Sequence, residues 1–235
     1  LVSRPIPNIG DATISSIQVK GTETFCTVEN KIYVFNRTEI VRVYDQHETS
    51  ITGTLLMGPL LLTYDTTNSV YVIDIKDREK RGHLSVLQSD AQISCLMHPA
   101  TYINKVVIGL TNGHLELWNV RKKTVIHSFT CHLDHFRKTA SRPIVDLFGN
   151  QRGSEQLESC GSSDEAFPEV SCIEQSPATD VVAIGFSSGD ILLVNLKLDV
   201  VLFGFKQTGG KVTSCSFRTD VNAQTRPYMA SGSSD

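Results

Sequence analysis

Excess charge of one sign, long apolar runs and paired cysteines are all missing from this sequence, and each absence narrows what the chain can be. Lys and Arg number 22 against 25 Asp and Glu, a formal net charge of −3, which argues against a domain whose main task is wrapping nucleic acid. No stretch approaches the roughly 18 uninterrupted apolar residues of a membrane helix. The amino terminus lacks the charged, apolar and small-residue sections of a signal peptide, so no membrane partner is expected. The six cysteines (26, 95, 131, 160, 172 and 215) form no C-x-x-C pair, and a disulfide framework does not suit so long a chain without a secretory signal. Cys95 and Cys172 sit in the matching phrases Ile-Ser-Cys-Leu and Val-Ser-Cys-Ile, as expected of small hydrophobes at equivalent buried strand positions. No G-x-G-x-x-G, Walker loop or paired-carboxylate arrangement stands out, so neither a cofactor, nor a small-molecule substrate, nor an enzyme is expected.

What the sequence does contain is repetition. Four stretches end an apolar strand on Asn or Asp: Lys31-Ile-Tyr-Val-Phe-Asn36, Ser69-Val-Tyr-Val-Ile-Asp74, His114-Leu-Glu-Leu-Trp-Asn119 and Asp190-Ile-Leu-Leu-Val-Asn195. Asn36 to Asp74 is 38 residues, Asp74 to Asn119 is 45, and Asn119 to Asn195 is 76, one repeat plus an insertion. A period of roughly 40–45 residues is that of four-stranded propeller blades. The strands preceding these are continuously apolar, as in Lys105-Val-Val-Ile-Gly109 and Asp180-Val-Val-Ala-Ile-Gly185, the pattern of strands buried on both faces. Leu115-Glu-Leu117 alternates, as expected nearer a solvated rim. Asn112-Gly113 and Ser188-Gly189 supply the small residues that a tight hairpin needs.

The expected fold is therefore all-β, an incomplete WD-repeat β-propeller of about four blades plus the start of a fifth, with four antiparallel strands per blade. Blades are expected at 11–45, 46–90, 91–131 and 169–208, with a fifth running from Gly210 to Asp235. Grouped as domains, these are blades one to three over 1–131, an inter-blade insertion over 132–168, and the fourth and truncated fifth blades over 169–235. The insertion is rich in Ser, Gly and charge, the composition of a flexible loop, and its apolar island Ile144-Val-Asp-Leu-Phe148 could serve as a short docking motif. A start without Met and an end inside a blade suggest a piece of a longer chain.

Several local patterns resemble those of catalytic, metal or modification sites. Gly185-Phe-Ser187-Ser-Gly189 fits the hydrolase nucleophile elbow, but that chemistry needs a helix after the serine, whereas a strand pattern follows. His127, Cys131, His132 and His135 fall within nine positions, yet no second ligand pair stands at zinc spacing, so no metal is expected. A histidine at a blade junction more often hydrogen-bonds within the blade. Asn36-Arg37-Thr38 fits a glycosylation acceptor but reads as a turn. The turns after the Asn/Asp-ending strands carry Arg37; Lys76, Arg78, Lys80 and Arg81; Arg121, Lys122 and Lys123; and Lys197. Such turns share one face of a propeller, so they form a basic contact rim, either ordinary solvated turns or an electrostatic contact to RNA or an acidic partner.

The phrases His98-Pro-Ala-Thr-Tyr-Ile-Asn-Lys-Val-Val-Ile-Gly-Leu-Thr-Asn-Gly-His-Leu-Glu-Leu-Trp-Asn-Val120, Pro177-Ala-Thr-Asp-Val-Val-Ala-Ile-Gly-Phe-Ser-Ser-Gly189 and Gly209-Gly-Lys-Val-Thr-Ser-Cys-Ser-Phe-Arg-Thr-Asp220 go beyond a generic propeller. They resemble the WD-repeat family of U-three small nucleolar RNA-associated protein twenty-one, also called WD repeat protein thirty-six. The resemblance implies tandem propellers and a helical carboxy-terminal region in a non-enzymatic scaffold of the small-subunit processome. By the same implication its partners are other processome proteins of the B subcomplex, the U-three RNA and pre-ribosomal RNA, in the nucleolus of the nucleus. It carries over no catalytic residues. The structural repeat positions are Asn36, Asp74, Asn112, Gly113, Trp118, Asn119, Ser188, Gly189, Asn195 and Asp235. Only Trp118 keeps the tryptophan of the WD pattern; Phe35, Ile73 and Val194 replace it elsewhere. An adaptor in another assembly, such as a ubiquitin ligase or a trafficking coat, is the competing reading.

Overall fold

A computed structural model of the chain describes residues 12–76, 80–85, 91–140, 167–207, 209–218 and 228–235. Eighteen strands and one helix are assigned among them. The first sheet holds β1 (Ile14–Lys20), β2 (Glu23–Val28), β3 (Lys31–Asn36) and β4 (Glu39–Tyr44). The second holds β5 (Ile51–Met57), β6 (Leu60–Asp65), β7 (Ser69–Asp74) and β8 (Lys80–Ser85). The third consists of β9 (Ile93–Met97), β10 (Lys105–Leu110), β11 (Leu115–Asn119) and β12 (Thr124–Phe129), and the fourth of β13 (Val170–Gln175), β14 (Val181–Phe186), β15 (Asp190–Asn195) and β16 (Val200–Lys206). A two-stranded sheet, β17 (Val212–Phe217) with β18 (Met229–Ser233), follows. Strands pair in chain order within every sheet, the meander of a WD-type propeller blade. The fold is an all-β propeller of four blades and the start of a fifth.

Burial follows from position in the blade. The second strands β6, β10 and β14 are buried from their second residue to their last, because a strand packed on both faces excludes water from both. The outer strands β4 and β12 are half-buried to exposed until their last residue. The third strands depart from expectation: Glu116 in β11 is only 2% exposed, so alternation of residue type there is not alternation of exposure. In the first and third blades exposure starts one strand further out, at β4 and β12.

One regularity is invisible in the repeats. The first strand of four blades shifts register near its start, between Ile14 and Ser16, Ile51 and Gly53, Val170 and Cys172, and Val212 and Ser214. A β-bulge adds local twist, and in these four blades it recurs at one place.

Two compact units compose the chain, one of residues 1–108 with 117–126 and one of 109–116 with 127–235. In the first, Phe25, Ile32, Val34 and Tyr44 of the first blade pack with Ile51, Leu61, Ile73 and Ile75 of the second. Asparagines of the β2–β3 and β6–β7 turns clasp the segment that leads into the next blade: Asn30 Nδ2 donates to the His47 carbonyl at 3.0 Å and Asn68 Nδ2 to the Ala91 carbonyl at 2.7 Å. His47, buried at 3% exposure, places Nδ1 2.8 Å from Asp65 Oδ2 and Nε2 2.6 Å from Thr63 Oγ1. Its ring meets Tyr71 edge-on at 4.4 Å. Burial alone would raise the Asp65 carboxyl, but hydrogen bonds from Thr67, His47 and Ser69 outweigh it and hold it below the ordinary carboxylate range.

The second unit is built on Ala183, Ile191 and Val212, with Cys172, Leu193, Phe205, Cys215, Phe217 and Met229 packed around them. Cys95 and Cys172 occupy equivalent first strands but are half-buried rather than buried. The free Cys172 and Cys215 thiols approach to 3.8 Å.

The stretch expected to be a loop over 132–168 begins as helix α1 (Cys131–Ala140). Low hydrophobicity hid it, yet Leu133 is buried at 5% exposure and Phe136 meets Phe186 edge-on at 4.9 Å. A few apolar anchors suffice for a helix whose stability comes from tertiary packing. Ile144 to Phe148 lie outside the described residues.

Candidate functional site

In an antiparallel meander, the turn between first and second strands and the turn between third and fourth leave the blade at the same end. The Asn/Asp residues that close the third strands shape the second of these turns. Asn119 Oδ1 accepts the N–H groups of Arg121 at 3.0 Å and Lys122 at 2.9 Å, and Lys123 N–H returns to the Asn119 carbonyl at 2.7 Å. Asn195 Oδ1 accepts Lys197 and Leu198 N–H, both at 3.0 Å. Asp74 Oδ1 accepts Lys76 N–H at 2.9 Å. These are Asx turns, in which a short side chain substitutes for a backbone acceptor. Lys123 closes its turn in the left-handed region at φ +59°, and in the first blade Arg37, next to Asn36, takes φ +57°.

In the first unit these turns frame a cleft of about 550 Å³ lined by Met57, Leu60, Val72, Ile103, Val120, Arg121 and Lys123, among others. Backbone bonds stitch its walls: Ile75 N–H to the Pro59 carbonyl at 2.9 Å, and Val120 N–H to the Asn104 carbonyl at 2.8 Å. His98 Nδ1 is held 2.8 Å from the Lys105 carbonyl. Arg121, Lys122 and Lys123 are exposed, and no carboxylate among the described residues pairs with them. Of the remaining basic residues, Arg78 and the side chains of Lys80 and Arg81 lie outside the described residues, and Lys197 belongs to the second unit.

At the opposite end of the blades, Gly113 and Gly189 turn their hairpins at φ +83° and +84°. Asn112 Oδ1 accepts His114 N–H at 3.2 Å, and Ser188 Oγ donates to Asp190 at 2.6 Å. A side chain at Gly113 would strike Phe167 and Pro168 at under 3 Å. Trp118 is buried at 7% exposure in β11. Asp235 accepts from Ser233 Oγ. Ser187 stands between β14 and β15, strand to strand, so no helix amino terminus follows it and an elbow has no oxyanion donors there.

Of the four zinc-type residues, His127 and Cys131 meet Asp199, and His132 and His135 turn elsewhere. His127 Nε2 lies 3.2 Å from Asp199 Oδ2, while His132 Nε2 lies 2.8 Å from the Gly113 carbonyl. His135 packs beside Gly204. Burial pushes the Cys131 thiol up, and the hydrogen bond to Asp199 adds to it. Among the described residues, no group of three or more His, Cys, Asp or Glu could hold a metal. His47 and Asp199 were not legible as site residues, because their partners are distant in sequence.

The sequence profile described as WDR36/Utp21 first beta-propeller matches residues 6–235. The chain belongs to that family. This WDR36/Utp21 propeller is 30% identical over 99% of its length to human "WD repeat-containing protein 36", of which it covers 21%. It is 29% identical over 81% of its length to "U3 small nucleolar RNA-associated protein 21 homolog" of Schizosaccharomyces pombe, covering 18% of that protein. Against the Saccharomyces cerevisiae "U3 small nucleolar RNA-associated protein 21" it is 20% identical over 88% of its length and covers 19%. It thus spans about a fifth of the length of the curated relatives it matches. Among solved structures, the computationally designed Ika8 protein superposes with a TM-score of 0.60 at 14% identity, over 94% of this chain and 55% of that one. A chain of the Mitotic Checkpoint Complex does so at 0.62 and 12%, over 88% and 54%. At such identities these two likenesses show the propeller fold alone.

Proposed function

We propose that this WDR36/Utp21 propeller is a non-enzymatic scaffold in the small-subunit processome of the nucleolus, serving ribosome biogenesis and small-subunit ribosomal RNA processing. The observation that carries the reading is the family match over residues 6–235, together with relatives named for association with the U3 small nucleolar RNA. A blade offers rigid, exposed turns on a packed core, which suits holding partners in place more than chemistry. The partners in this reading are proteins of the B subcomplex and, through them or directly, the U3 RNA and pre-ribosomal RNA. Affinity purification of the tagged full-length protein tests it: U3 RNA and processome proteins are expected to co-purify. Recovery of a ubiquitin ligase or a trafficking coat without them would overturn it.

A further inference from the structure

We propose that the cleft between the turns of the second and third blades is a docking pocket for an acidic peptide segment that inserts one aliphatic or phenyl side chain. This inference stands whichever assembly the full-length protein serves. It begins with shape. A volume of about 550 Å³ falls in the range of roughly 300–1,000 Å³ typical of ligand clefts. Met57, Val72 and Val120 are buried beneath it, and Leu60 completes an aliphatic floor. Ile103 stands on the lip at 83% exposure, a large aliphatic group held in water by a turn with Tyr102 N–H on the Pro99 carbonyl at 3.0 Å. The lip is therefore presented and not buried within its own blade, and a second apolar side chain entering the cleft would cover it.

Charge selects the occupant. Arg121 and Lys123 line the same cleft and Lys122 lies between them in the chain, all three fixed by the Asn119 turn. Among the described lining residues Asp74 is the carboxylate, but it is only 5% exposed and accepts the N–H of its own turn. The accessible charge of the described lining is thus cationic, and carboxylates flanking an apolar anchor would complement it. A nucleic acid strand fits less well. Single-stranded sites pair cations with aromatic platforms for base stacking; among the described residues no Phe, Tyr or Trp lines this cleft, and its one imidazole, His98, is tied to the Lys105 carbonyl.

A benzophenone side chain installed in place of Ile103 in the full-length protein, irradiated in its native assemblies, tests the proposal. The expected adduct is a peptide with a leucine, isoleucine, methionine or phenylalanine among several Asp or Glu residues. Its yield should fall about tenfold when Arg121→Glu and Lys123→Glu are added, and fall with rising salt. Both substituted residues are exposed, and an unchanged melting temperature would show that the fold is intact. Nucleotide adducts, a neutral or basic peptide, a yield insensitive to the two charge reversals, or no adduct would each overturn the proposal.

Discussion

The turn that closes β11 and the turn that closes β15 have the same backbone and opposite uses. In both, an asparagine caps the turn through Oδ1 and the last turn residue takes a left-handed conformation, Lys123 at φ +59° and Asp199 at φ +50°. Lys123 is exposed beside a cleft. Asp199 instead reaches across to α1, accepting Thr130 N–H and Cys131 N–H at 3.2 Å each and facing His127. A carboxylate at the free N–H groups of a helix start is favourable. One repeated backbone device therefore presents a charge to solvent in one blade and anchors a helix in the next. The side chain at its final position decides which.

The largest expected effect concerns the other anchor of α1. His132 is buried at 0% exposure, and burial lowers it to about 4 from an ordinary 6.5 despite its bond to the Gly113 carbonyl. The folded state holds it neutral while the unfolded state takes a proton first. Its contribution to stability is thus full above pH 6.5 and is lost as pH falls toward 4. At about 1.4 kcal/mol per unit, roughly 3 kcal/mol disappears across that window. Denaturant titrations of the full-length protein should show this slope, and His132→Gln should flatten it.

Asp199→Lys makes the fourth-blade turn resemble the third. It removes the acceptor at α1 and places a cation at a helix amino terminus, costing about 2 kcal/mol. Hydrogen exchange at residues 131–135 should accelerate; unchanged protection would show that α1 is held by packing alone. Burial would raise the Asp199 carboxyl, but bonds from Cys131, Thr130 and His127 hold it below its ordinary 3.8. This anchor therefore contributes above pH 3.8 and fails only as pH falls through its lower folded value, in a more acidic window than His132.

Smaller effects test the shared part of the two turns. Asn119→Ala and Asn195→Ala each remove the one oxygen that accepts two N–H groups and should cost about 1 kcal/mol, read as similar drops in melting temperature. Unequal drops would mean that the turns are not energetically equivalent. Lys123→Asp should change stability by less than about 0.5 kcal/mol, since an exposed site loses no contact and Asp tolerates the left-handed region. The same change should weaken capture at Ile103, which separates the binding role from the structural one.

The propeller fold was legible because its strands and hairpins rest on local rules. Continuous apolar strands such as Val106 to Leu110, Gly at positive φ and Asn/Asp at strand ends are written within a few residues of where they act. The clustering of Arg121 and Lys123 by a cleft was half legible: the turn was, the cleft was not, because Met57 and Ile103 come from other turns. His47, Asp65 and Thr63 escaped notice because 16 and 18 residues separate the histidine from its partners. Asp199 and Thr130 are 69 residues apart.

By itself, then, the sequence determined the repeated blade and its hairpins, because strand period and turn chemistry act over neighbouring residues. Only the tertiary structure decided that α1 forms, that Glu116 and His132 are buried, and that Lys123 and Asp199 serve different ends. Those outcomes depend on which groups a folded chain brings within a hydrogen bond of one another, and no local pattern encodes that distance.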